Sequence, residues 1–191
     1  MPRSYHHGNL HKSLIEEGVK LIEEKGVNGL TLREIGARAG VSRTAAYRHF
    51  SDKAELLEAI SETAFTEFGD ALEAARDSVI GSAAKRLDAM GLAYVRFAVE
   101  HRAYYKVMFG IACDAEDRGP RESAAGARAF RILADTIRDG QKAGEFRAGD
   151  PALFAKVIWT MSHGIATLEL GSELMIQASE ILRTGIGAIQ H

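Results

Sequence analysis

The sequence predicts an all-α protein with two domains, and three observations support this. Apolar residues recur at helical spacing along nearly the whole chain, no strand pattern or internal repeat is evident, and only 3 prolines occur in 191 residues. Apolar residues make up 46% of the chain, which is enough for a small and a larger helical core. We expect about nine helices, with a first domain at residues 1–53 and a second domain at residues 54–191.

The segment from Leu30 to Leu57 is the most informative part of the chain. Thr31 is placed to cap a helix over residues 32–39, and Glu34 follows three positions later, where it can cap the helix in return. Gly40 comes next, and a residue without a Cβ atom can adopt the left-handed backbone that ends a helix. The pattern predicts a short capped helix followed by a tight turn.

A second short helix is predicted over about residues 43–50, with Ser42 as its N-cap. It carries many hydrogen-bond donors: Arg43, Thr44, Tyr47, Arg48 and His49. A structural helical hairpin has little need for so many donors on two exposed turns. The order of cap, helix, glycine, cap and polar helix is typical of a helix-turn-helix, which places its second helix in the DNA major groove.

The other predicted helices follow the apolar periodicity and the capping residues. Asp52 and Glu55 mark the start of a long helix that continues to about Ala75. The remaining helices are expected over about residues 9–25, 83–100, 103–109, 124–142, 151–170 and 173–189.

Residues from about His6 to Ile60 resemble the DNA-binding domain of the TetR family of bacterial transcriptional regulators. The motifs that carry the resemblance are Thr-Leu-Arg-Glu-Ile, Ala-Gly-Val-Ser, Tyr-Arg-His-Phe and Asp-Lys-x-x-Leu-Leu. The resemblance implies a repressor that binds palindromic operator DNA as a homodimer. It also implies base contacts from Arg43, Thr44 and Ala45, with Arg48 as a further candidate for contact with guanine. The residues implied to contact phosphates are Tyr47, His49 and Lys53, together with Thr31 at the start of the first helix of the motif.

The sequence Trp159-Thr-Met-Ser-His163-Gly164 resembles the C-terminal domain of one group within this family. Trp159 and His163 share a helix face, and both a core role and a ligand-binding role remain open for them. The family implies a small-molecule effector of unknown identity. Few charges fall on the candidate faces, so an uncharged or aromatic effector is expected. The candidate ligand-binding residues are Phe97, Tyr104, Tyr105, Met108, Phe109, Trp159 and His163.

The last two predicted helices carry more apolar residues than a thin domain needs to bury, which predicts a homodimer interface similar to the four-helix bundle of the family. The candidates are Leu153, Phe154, Val157, Ile158, Met161 and Ile165 on one helix and Leu174, Ile181, Leu182 and Ile186 on the other.

Charge and motif content narrow the possible functions. Residues 1–53 carry nine Lys/Arg and six Asp/Glu, a net charge of +3, whereas the remaining residues have a net charge of −5. A basic N-terminal domain followed by an acidic domain is typical of DNA-binding proteins. We expect no metal site, no cofactor and no enzymatic activity, because phosphate-binding loops and nucleophile motifs are lacking. The single cysteine, Cys113, the polar N-terminus and the lack of a long apolar run predict a cytoplasmic protein without a membrane partner.

Two alternatives remain open. One is a DNA-binding dimer that has no small-molecule ligand and is regulated by a protein partner. The other is a small-molecule-binding protein or enzyme in which the helix-turn-helix is incidental.

Overall fold

The computed structural model describes residues 7–110, 123–171 and 177–190, with side chains from Leu10 onwards. These residues form nine α-helices and a 3₁₀ turn at Val27–Gly29, with no strand among them. The helices are α1 His7–Lys25, α2 Leu32–Arg38, α3 Arg43–Tyr47, α4 Lys53–Asp77, α5 Ala83–Glu100, α6 Arg102–Met108, α7 Ala124–Lys142, α8 Pro151–Gly171 and α9 Ala178–Gly187. The all-α prediction is confirmed, although α3 ends three residues before the expected position. No helix in these ranges is long and apolar enough to span a membrane.

The described chain divides into two compact units inside α4, after Ala64. The predicted boundary after residue 53 lies earlier in the chain than this division. The first unit extends further because Leu56, Leu57 and Ile60 from the first turns of α4 are buried in its core. The segment that begins at Ala103 also belongs to the first unit rather than to the second.

The first unit is built around α1, α2 and α3. Small residues allow α2 and α3 to approach closely, since a Cβ atom on Gly36 would lie 3.2 Å from the Cβ atom of Ala46. Ala103 and Val107 of α6 are buried in the same core, and Tyr104 packs against it. The helix-turn-helix therefore rests on a core that includes α6.

The second unit contains the rest of α4 together with α5, α7, α8 and α9. Helix α5 packs against α7, α8 and α9. Gly91 makes the approach of α9 possible, because a Cβ atom there would lie 2.7 Å from Leu182. Helix α7 is held to α4 by Arg128, which donates to Asp70 at 2.6 Å and to Glu73 at 2.5 Å.

Candidate functional sites

Backbone hydrogen bonds close the turn between α2 and α3, since the amides of Gly40 and Val41 donate to carbonyl oxygens of α2 at 3.2 and 2.9 Å. Each of the two helices also has an N-cap. The Thr31 hydroxyl accepts from the Glu34 amide at 3.3 Å, and the Ser42 hydroxyl accepts from the Ala45 amide at 3.2 Å. Gly40 has a φ of 70°, the left-handed conformation expected for the residue that ends α2. The predicted caps and turn are therefore present.

The Glu34 side chain does not complete the expected reciprocal cap. Its carboxylate accepts from Lys25 at 2.7 Å and from Arg38 at 3.3 Å, and Arg38 also donates to Glu24 at 2.6 Å. The hydrogen bond from Lys25 is the main reason that the pKa of Glu34 lies below its usual value. Glu34 therefore links α2 to the end of α1 instead of closing the first turn of α2.

One side of α3 is polar and accessible. Arg43, Thr44, Tyr47 and Arg48 are exposed, and the guanidinium carbon of Arg43 lies 5.2 Å from the centroid of the Tyr47 ring. Ala45 is different, because it is half-buried and packs against the core of the first unit. The base contact predicted for Ala45 stays a prediction, and the neighbouring Ala46 is fully buried.

The residues that flank α3 are also held in place. Asp52 accepts from the Glu55 amide at 2.9 Å and Glu55 accepts from the Ser51 amide at 2.6 Å, so α4 begins at Lys53 with the predicted cap. His49 is half-buried beside His11, with their ring centroids 6.1 Å apart. His11 lies within α1. In the part of the chain with described side chains, no group of three metal-binding residues lies together.

Aromatic side chains from four helices meet inside the second unit. We call Phe68, Tyr94, Phe97, Phe130 and Trp159 the ring cluster. The centroids of Phe68, Tyr94 and Trp159 lie 4.9–5.7 Å apart, with interplanar angles of 88–89°. The Tyr94 hydroxyl lies 3.0 Å from Nδ1 of His163, and burial lowers the pKa of this histidine. Trp159 and His163, the two residues of the sequence motif, both lie at this cluster.

A small cavity adjoins the ring cluster. It is lined by residues of α4, α5, α7 and α8: Leu72, Met90, Gly91, Tyr94, Leu133, Ile158, Trp159 and Ser162. The hydroxyl of Ser162 donates to the carbonyl oxygen of Ile158 at 2.9 Å, so the lining is largely apolar. The cavity has room for about one water molecule.

The predicted ligand-binding residues do not form one group. Phe97, Trp159 and His163 belong to the second unit, and only Trp159 lines the cavity. Four others lie on or just after α6, in the first unit: Tyr104, Tyr105, Met108 and Phe109. Sequence reasoning missed Tyr94 and Met90 as cavity residues, because apolar spacing on α5 identifies buried positions but does not separate a cavity wall from solid core.

The predicted interface residues also separate into two sets. Most are buried within the single chain, namely Phe154, Ile158, Ile165, Leu182 and Ile186, while Met161 is half-buried. They stabilise the fold of the second unit and are not accessible to a second copy. Leu153, Val157 and Ile181 are 41–55% exposed. Leu174 lies outside the described residues.

The exposed side of α8 has a regular composition. Leu153, Val157, Thr160, Gly164 and Leu168 recur at helical spacing and are all exposed; we call them the α8 stripe. A glycine within a helix permits close approach of another element, and Gly164 lies in the middle of this stripe. Among the described residues no atom lies within 4 Å of the position that a Cβ atom on Gly164 would take. The surface above Gly164 is therefore open among the described residues.

Comparison with known proteins identifies both parts of the chain. Residues 14–60 match the model of the bacterial regulatory proteins of the tetR family, and residues 87–188 match the tetracyclin repressor-like C-terminal domain. The HTH-type transcriptional regulator Rv1816 of Mycobacterium tuberculosis is 25% identical over 143 residues, which are 74% of this chain and 61% of that regulator.

Two solved structures are similar over nearly the full length. A protein of unknown function from Rhodococcus sp. RHA1 is 31% identical, with a TM-score of 0.85 and complete coverage of both chains. The TetR family transcriptional regulator PfmR from Thermus thermophilus is 26% identical, with a TM-score of 0.68, over 93% of this chain and 96% of that one.

Proposed function

Since the chain belongs to the TetR family of bacterial transcriptional regulators, we propose that it is a repressor that binds palindromic operator DNA as a homodimer. In this proposal a small uncharged effector, apolar or aromatic, releases the protein from DNA. The family is one of regulators and not of enzymes. The observation that carries the proposal is the exposed polar side of α3, a helix that begins at the Ser42 cap directly after a hydrogen-bonded turn.

Base reading is assigned to the exposed side chains of α3. An arginine can bind guanine through two hydrogen bonds, and such a pair discriminates by about 1–3 kcal/mol. Arg43 lies at the first position of α3, with Thr44 beside it and Arg48 just after the helix. Tyr47, His49, Lys53 and Thr31 flank this side and are assigned to phosphates, where they fix the register without reading sequence. Ala45 follows Thr44 in α3 and is assigned a methyl contact with thymine.

The homodimer is proposed to form through the α8 stripe together with Ile181 of α9. These side chains remain half exposed in the single chain, and Gly164 offers the close approach that packing between helices requires. A two-fold dimer presents two copies of α3 to the two halves of a palindrome. Because operator DNA lies in the bacterial cytoplasm, the proposal also implies a cytoplasmic protein.

A second candidate is a DNA-binding dimer that has no small-molecule effector and responds to a protein partner. The small size of the cavity favours it, because one water molecule nearly fills the space. A thermal shift screen of the full chain against a compound library separates the two candidates. Saturable stabilisation by an uncharged compound supports the effector.

The DNA-binding proposal is tested by titrating a duplex recovered by selection from random DNA, and a scrambled duplex, at several salt concentrations. Arg43→Ala should lose affinity for the selected duplex alone. Lys53→Ala should weaken binding to both duplexes and reduce the slope of log affinity against log salt by about 2 for the dimer, since each phosphate contact contributes about 0.9. Lys142→Ala, which removes an exposed lysine of α7, is the matched control. Equal losses on both duplexes for Arg43→Ala would contradict base reading.

A further inference from the structure

We propose that Tyr47 determines how strongly Arg43 discriminates between bases, because the tyrosine ring holds the arginine in place before DNA binds. The inference rests on the proposed function, in which the exposed side of α3 reads operator DNA. It makes the ring of Tyr47 a positioning group for Arg43, which is separate from the phosphate contact assigned to the Tyr47 hydroxyl.

The contact between the two side chains follows from their spacing on α3. Residues four positions apart lie on the same face of a helix, and Arg43 and Tyr47 are both exposed. The guanidinium carbon of Arg43 lies over the ring, 5.2 Å from its centroid. A cation within about 6 Å of the centroid is attracted by the face of an aromatic ring. The pair therefore forms a cation–π contact on the surface assigned to DNA.

The ring is the contact that orients Arg43. Among the described residues the Arg43 guanidinium forms no ion pair, whereas that of Arg38 is held by Glu24 and Glu34 at 2.6 and 3.3 Å. An arginine side chain has several rotatable bonds, so fixing a free one on a base costs conformational entropy. The contact with Tyr47 removes part of this cost in advance, which is the effect of preorganisation on binding.

The ring contact is compatible with base reading. A guanidinium has five N–H donors, and the paired hydrogen bonds to guanine use two of them. Arg43 can therefore keep its contact with the ring face while it binds a base. The hydroxyl of Tyr47 lies at the far end of the ring and stays available for a phosphate.

Preorganisation of Arg43 favours the correct base over the others. Guanine offers the two acceptors that a guanidinium binds together, so the entropy saved by the ring strengthens this complex. On other sequences an arginine that is free to move can turn to the phosphates, which carry no sequence information. Loss of the ring should therefore lower the discrimination by about threefold for each α3, and by about tenfold for a dimer, as expected for an exposed cation–π contact.

The test uses the full chain and a duplex recovered by selection from random DNA. The guanine read by Arg43 is the one whose replacement by adenine, in both half-sites, no longer changes the affinity of Arg43→Ala. The discrimination ratio is the affinity for the selected duplex divided by the affinity for this substituted duplex. Tyr47→Phe keeps the ring and should weaken binding to both duplexes at an unchanged ratio. Tyr47→Leu removes the ring and should lower the ratio about tenfold.

Two controls separate positioning of Arg43 from a general distortion of α3. In the Arg43→Ala background, Tyr47→Leu should leave the ratio unchanged, because the arginine that the ring positions is absent. At any guanine that still matters in Arg43→Ala, the ratio should be the same for Tyr47→Leu and the wild type.

NMR of the free chain with isotope-labelled arginine measures the contact without DNA. The ring current should shift the side-chain protons of Arg43 upfield in the wild type and in Tyr47→Phe, but not in Tyr47→Leu. The signals of Arg43 are those that disappear in Arg43→Ala.

Three results would overturn the inference: no ring-current shift of Arg43 in the wild type, equal ratios for Tyr47→Leu and Tyr47→Phe, or an equal fall of the ratio with and without Arg43. The two proposals fail in different ways. A ring-current shift in a chain that binds no duplex rejects the proposed function, and the base-reading role with it. Sequence-selective DNA binding with equal ratios for the two Tyr47 variants rejects only this inference.

Discussion

Substitution of Val157 by aspartate should separate the dimer while the chain remains folded. Leu153, Val157, Leu168 and Ile181 are 55%, 50%, 53% and 41% exposed in the single chain. Complete burial of such a side chain contributes about 2 kcal/mol. Covering the exposed half of each in both copies therefore contributes about 8 kcal/mol before the entropic cost of association.

The expected loss for Val157→Asp follows from the same area. Each copy loses about 1 kcal/mol of apolar burial and gains a carboxylate without a partner, which costs at least about 1 kcal/mol more. The two copies together lose about 4 kcal/mol, which corresponds to a dimer dissociation constant roughly 1,000-fold larger. Sedimentation equilibrium over a concentration series measures this change, and circular dichroism establishes that the helices persist.

Two further variants make the result decisive. Val99→Asp places the same change on a valine of α5 that is 39% exposed and lies outside the α8 stripe, so it should leave the dimer intact. Ile158→Asp, one residue from Val157, puts the charge at a position that is 1% exposed and should unfold the chain rather than only separate the copies. If Val157→Asp and Val99→Asp dissociate to the same extent, or if neither does, the assignment of the α8 stripe is wrong.

Three other substitutions test local parts of the structure. Gly164→Ala should raise the free energy of unfolding of the single chain by about 1 kcal/mol, because no atom of the described residues fills the space and alanine favours helix. The same substitution should weaken self-association, and a loss of chain stability in chemical denaturation would contradict the open space. Ser42→Ala should lower the free energy of unfolding by about 1 kcal/mol in the same assay, since the Ala45 amide loses its hydrogen bond to the Ser42 hydroxyl. An unchanged denaturation midpoint would show that this cap is not formed. Burial lowers the pKa of His163, so the unfolded chain binds the proton more tightly, and the stability should fall as the pH drops below about 6.5. If Tm is measured from pH 8 downwards, the decrease should be smaller for His163→Gln than for the wild type. An equal decrease in both proteins would exclude His163 as its source.

The elements that depend on neighbouring residues could be predicted from the sequence. Capping requires only one side chain and an amide three residues later, so Thr31, Ser42 and Asp52 were found as N-caps. Glu34 was identified as a capping candidate, but its actual partner was not predicted. This partner is Lys25, which lies on another helix and competes for the carboxylate. Local patterns identify capping residues, whereas ion pairs between helices depend on the tertiary arrangement.

The faces of α8 could not be assigned from its sequence. Between Lys156 and Glu169 the helix carries no charged residue, so it is apolar or neutral on every side. A helix of this kind has no polar face to show which side is turned to solvent. Phe154 and Ile158 therefore seemed as suitable for an interface as Leu153 and Val157, and only the packing of the second unit distinguishes them.

The packing of α6 could not be predicted for a related reason. Its aromatic residues suggested a ligand site, which stays a prediction, but a short apolar helix can join any core that lies near it. Ala103 and Val107 pack into the core beneath the helix-turn-helix. This contact is distant in sequence, so neither apolar spacing nor composition could reveal it.

The central claim is that two copies of this chain bind the two halves of a palindrome through α3. Selection from random duplex DNA, followed by measurement of the mass of the complex formed on the enriched duplex, tests it most directly. The account predicts an enriched inverted repeat that binds two chains, and no enrichment for the double variant Arg43→Ala and Arg48→Ala. An enriched site without two-fold symmetry, a complex that contains one chain, or unchanged enrichment for the double variant would contradict it.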